Sequence, residues 1–82
     1  MAILVQPKEI KAGHTFYVIT SENTIERWQV IKKRGQKRYA MTVEGRPAHG
    51  ELIGRVINSC SKFRSRRAAL RTARLTGIVI KN

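Results

Sequence analysis

"IERWQVIKKRGQKRYAMTVE", residues 25–44, decides the fold. On both sides of "RGQK" (34–37), apolar and polar residues alternate. In 25–33, Trp28 and Val30 share one face, with Arg27, Gln29 and Ile31 on the other. In 38–44, Tyr39, Met41 and Val43 stand together, opposite Arg38, Ala40 and Thr42. A period of two is that of an extended strand burying one face, so the stretch reads as an antiparallel hairpin. Its tip is heavily basic: Lys32, Lys33, Arg34, Lys37 and Arg38 fall within seven residues.

Working outward, "TFYVIT" (15–20) is β-branched and aromatic, a good strand, and "SENT" (21–24) has turn chemistry. "MAILV" at the start reads as a short strand ended by Pro7. Beyond the hairpin, "GRPAHG" (45–50) reads as a loop. The β-branched content of "ELIGRVINSC" (51–60) predicts a third antiparallel strand, with Gly54 marking a bulge or a close backbone approach. Ser65 is placed to cap a helix over 66–76. Ala69, Leu70 and Ala73 lie on one side of that helix and are expected to pack on the sheet face holding Trp28 and Tyr39. Gly77 fits a left-handed position just past the helix, with Ile78 folding back on Ala73, and "GIVIK" (77–81) reads as a closing edge strand. The expected fold class is α+β. The chain, 1–82, is one small domain, an antiparallel sheet of three to five strands with one C-terminal helix on one face.

Eighty-two residues allow a thin core and hardly a deep pocket. The hydrophobic fraction of 41% excludes a disordered basic tail. One cysteine excludes an internal disulfide, and Cys60 reads as a small buried hydrophobe in a reducing cytoplasm. No run is long enough to span a bilayer, and "AILV" is too short for a signal-peptide core, so a soluble cytoplasmic protein is expected. Catalytic and metal signals are poor. His14 and His49 are isolated, Cys60 has no partner at CxxC spacing, and a chain without aspartate is a bad metal nuclease. His49 with Glu51 is weak evidence for an acid–base pair, and no phosphate-binding glycine pattern exists. No enzyme and no cofactor is expected.

Charge is the most informative property. Seventeen Lys and Arg face five glutamates, giving a net +12. Fifteen of the basic residues follow Glu26, against only Glu44 and Glu51. Such a surface repels itself, and a polyanionic partner explains keeping it. The second basic cluster lies in "FRSRRAALRTARLTG" (63–77), where Arg67, Arg71 and Arg74 form a stripe at i, i+4 and i+7. Arg64 and Arg66 precede or open the helix, where the dipole disfavours cations. A solvated face usually mixes signs, and this one has no acid. Forked guanidiniums suit phosphate, so hairpin tip and helix are expected to form one nucleic-acid-binding surface. Its residues are Arg27, Lys32, Lys33, Arg34, Lys37, Arg38, Arg64, Arg66, Arg67, Arg71 and Arg74.

"RWQV", a basic turn, "KRYAMTV" and then "KFRSRRAALRTA" resemble the small AP2-like arm-binding domains of phage-type integrases. The resemblance covers about residues 25–76 and includes the helix start F-x-S-x-x-A-A at Phe63, Ser65, Ala68 and Ala69. It implies a three-stranded sheet with a helix, set in the DNA major groove, with Arg27, Gln29 and Arg38 facing bases. "KRYAMTVE" fails the RNP1 pattern of RNA-recognition motifs, lacking its glycine and its later aromatics. A small DNA-binding accessory or regulatory protein of phage or mobile-element type is therefore expected, with DNA favoured over RNA. The alternative is a basic module that docks an acidic protein or inhibits a nucleic-acid-processing enzyme. A third reading is an SH3-like barrel whose first strand is "IKAGHTFYVI".

Overall fold

A computed structural model describes residues 4, 5, 10–35 and 38–82. Four strands form one antiparallel sheet in chain order: β1 (Thr15–Ile19), β2 (Ile25–Gly35), β3 (Arg38–Val43) and β4 (Arg46–Pro47). Two helices follow, α1 (Gly50–Ser59) and α2 (Arg66–Leu75). The fold is α+β, and no helix of the described residues is long and apolar enough to cross a membrane.

The alternation read from the sequence sets the register. Trp28 stands opposite Phe16 and Val43, and Val30 opposite Met41, so these residues share one face. Phe16 and Trp28 stack with ring centroids 6.3 Å apart. Tyr17 opposes Arg27, and Ile19 opposes Ile25, which places all four on the other face. The β3–β4 connection is a two-residue turn with Glu44 (φ 51°) and Gly45 (φ 80°) both left-handed, the geometry that matches strand twist. Residues 45–50, expected as a loop, thus contain β4.

The largest correction concerns residues 51–60. They form α1, not a third strand. Leu52, Ile53, Val56 and Ile57 recur at helical spacing and pack on Phe16, Val18, Trp28, Val30 and Met41. Glu51, Arg55 and Asn58 point to water. Strand pairing would instead set Arg55 on one side with Ile53 and Ile57, so burying either face would bury a charge or an asparagine. Packing overrides β propensity here. Helix α1 lacks a side-chain cap at its start. Near its end the Lys62 ammonium donates to the Ile57 carbonyl at 2.9 Å and the Cys60 carbonyl at 2.8 Å. Cys60 is half-buried against the same core.

Helix α2 sits on the opposite face. Ala69 packs with Ile25 and Phe63, flanked by Tyr17, Ile19, Leu70 and Ile80. The expectation that it covers Trp28 and Tyr39 is therefore corrected: those residues lie under α1. One helix on each face replaces one helix on one face. The ends of α2 follow the sequence reading closely. Ser65 Oγ accepts from the Ala68 N–H at 3.1 Å. Gly77 (φ 78°) donates to Arg74 O, and the Ile78 N–H donates to Ala73 O at 2.8 Å, a Schellman stop.

Residues 77–81 do not form the expected edge strand. The chain instead runs back to β2, where the Lys81 N–H donates to Asn23 O and the Asn82 side chain reaches Ile25. Of "MAILV", residues 1–3 lie outside the described residues. Leu4 makes an isolated bridge with Phe63, which itself pairs with Tyr17 and covers the β1 edge.

Candidate nucleic-acid interface

The sheet face that carries α2 is only partly covered. Thr15, Arg27 and Gln29 belong to it by register and are all exposed, with Thr42 beside them. Arg27 is held at the main chain. Its N–H donates to Glu44 Oε1 at 2.6 Å, and its carbonyl accepts from the Glu44 N–H at 2.9 Å. The left-handed turn at Glu44 thus fixes where the Arg27 side chain leaves the sheet.

Farther along β2 the register slips between Val30 and Lys32 and again between Lys33 and Gly35. A bulge adds a residue to one strand and changes which way the following side chains point. Without the first slip, Lys32 would continue the buried face of Trp28 and Val30. With it, Lys32 stands opposite Ala40, on the side of Arg27, Gln29 and α2. Lys33 then stands opposite Tyr39 on the α1 side, its ammonium 5.8 Å from the ring centroid. Arg34 is exposed at the second slip. Lys37 lies outside the described residues, and Arg38 is placed by its main chain, opposite Gly35 at the start of β3.

On α2, Arg67, Arg71 and Arg74 are exposed and line one open depression with Ser65, Ala68, Leu70 and Leu75. The helix holds no acidic residue. Arg64 is exposed just before the Ser65 cap. Arg66 is also engaged inside the fold, its Nη2 donating to Asn82 O at 2.6 Å. The structure brings Arg27, Lys32 and the α2 arginines to one side of the sheet and turns Lys33 to the other.

Exposed Arg46 and Arg55 were not among the expected residues. Arg46 lies in β4, read as loop, and Arg55 follows Glu51 by one turn of a helix read as a strand. Partial burial holds the Lys62 ammonium below its ordinary value, opposed by the nearby Cys60 thiol. Among the described residues no three His, Cys, Asp or Glu side chains gather as a metal site would need. Comparison with family models, curated proteins and solved structures finds no match to this chain.

Proposed function

We propose that this protein binds nucleic acid through the side of the sheet that carries α2, with duplex DNA as the favoured ligand. The reading is a binding role without catalysis, in a small accessory or regulatory protein of phage or mobile-element type. The resemblance to arm-binding domains belongs to the same proposal. One observation carries it: three exposed arginines on a helix without acids share a side of the sheet with exposed Arg27, Gln29 and Lys32. Cations on neighbouring elements, uncompensated by acid in the helix, fit a row of phosphates.

The test is fluorescence anisotropy with a labelled duplex across a salt series. If about six phosphates are neutralised, log K falls against log[salt] with a slope of about −5. Weak binding with a flat salt dependence sinks the proposal. The second reading, docking of an acidic protein, draws support from Leu75, which is 82% exposed and lines the same depression as the arginines. An apolar side chain among cations suits a protein partner better than a phosphate row.

A further inference from the structure

We infer that Leu75 and Val79 form a self-contact through which two copies of this protein pair when both are bound to one polyanion, and only then. This rests on the nucleic-acid reading above and adds how one bound copy affects the next.

The first argument is what the fold leaves uncovered. Leu75, 82% exposed, is the last residue of α2, and Val79, 78% exposed, follows the reversal at Gly77. Among the described residues they are the two most exposed large apolar side chains. Ile78 and Ile80 beside them are half-buried, and Ile80 packs on the cluster of Ile25, Phe63 and Ala69. Leu75 also lines the depression that holds Arg67, Arg71 and Arg74. Whatever covers it therefore sits beside the bound ligand, and a phosphate row offers no apolar surface for the purpose.

The second argument is why the contact waits for the ligand. Two side chains per copy fall far short of the roughly 1,200 Å² that a stable interface buries, so they do not hold free chains together. Charge opposes the contact as well. Each copy carries +12, and residues 64–82, which include Arg74 and Lys81 on either side of the pair, contain no acid. A bound polyanion reverses both effects. Its phosphates neutralise the cations, and two copies on one duplex meet at a raised effective concentration.

The third argument is symmetry, which makes a second copy the occupant. The backbone of a duplex is unchanged by a half-turn about axes perpendicular to its length. A protein that binds phosphates can thus seat a second copy in the two-fold-related position, where one patch meets its own counterpart. Such an interface needs only a self-complementary surface, and an apolar pair supplies one.

The longest dimension of the protein, 37 Å, spans about 11 base pairs at about 3.4 Å each. The experiment compares anisotropy isotherms on a duplex of about 12 base pairs, the length of one copy, and one of about 36. On the longer duplex each further copy should bind about tenfold more tightly than the first. Sedimentation velocity without DNA should show monomers. Leu75→Ser combined with Val79→Ser, checked for folding by circular dichroism, should abolish that gain. Affinity and salt slope on the short duplex should stay unchanged. Non-cooperative binding by the unaltered protein, cooperativity that survives the double variant, or a dimer without DNA overturns the inference and leaves the proposed function standing. So does weaker binding of the double variant to the short duplex, which marks both side chains as DNA contacts. Salt-insensitive binding to both duplexes removes both readings and leaves an acidic protein as the partner of the depression.

Discussion

The side-chain amide of Asn82 acts as one rung of a β ladder for Ile25: its Oδ1 accepts from the Ile25 N–H and its Nδ2 donates to the Ile25 carbonyl, both at 2.9 Å. Strand β3 ends at Val43, and the Ile25 side chain is buried, so this amide replaces a missing strand. Asn82→Ala leaves both main-chain groups without that partner and should cost about 1–3 kcal/mol. In a domain this size that lowers the melting temperature by at least about 4 °C. An unchanged thermal melt would show that water satisfies Ile25 equally well.

The two cores should respond unequally to truncation. Ile53 is buried in the larger cluster beneath α1, so Ile53→Ala should cost about 2–5 kcal/mol. Leu70 is only half-buried beside Ala69, and Leu70→Ala should cost less, about 1–2 kcal/mol. Urea unfolding of both variants orders them. The reverse order would contradict the placement of α1 over Trp28.

Replacing Arg67, Arg71 and Arg74 together by alanine should keep or slightly raise stability. Their mutual repulsion disappears, and alanine is the better helix former. The same protein should lose about three units of the salt slope for duplex DNA. If the triple variant unfolds, the arginine stems are part of the packing.

Lys62 makes stability depend on pH in the alkaline range. Its folded pKa lies below the ordinary 10.5, mainly through desolvation. Between those two values the unfolded chain binds more protons than the folded one. Its contribution therefore rises with pH through that window, is complete above the unfolded value, and is lost as pH falls through the folded one. Lys62→Gln should flatten that rise in urea midpoints measured across the window. An unaltered pH profile would assign the slope to other groups.

The hairpin was legible in the sequence because Trp28 and Val30, and Tyr39, Met41 and Val43, recur with a period of two. The ends of α2 were legible too, since Ser65 and Gly77 carry local chemistry that needs no distant partner. Helix α1 was missed because β-branched Ile53, Val56 and Ile57 masked a helical spacing, and only contact with Trp28 and Met41 decides between the two. The side on which α2 packs could not be read either. Ala69 and Ala73 fit any apolar surface, and only packing with Ile25, Phe63, Tyr17 and Ile19, distant in sequence, decides the side. At the candidate interface the residue types were visible and the bulges were not. A register slip comes from how two strands pair, so the division of Lys32 from Lys33 appears only in three dimensions.

Both ends of α2 are closed by uncharged chemistry, the Ser65 hydroxyl at one and the Gly77–Ile78 amides at the other. The guanidiniums of Arg67 and Arg71 therefore have no part in terminating the helix, and the alanines beneath them hold it to the sheet. Shape and electric sign are thus written in different letters of the same helix. Selection can recolour that outer surface, even to neutrality, while the architecture underneath stays as it is.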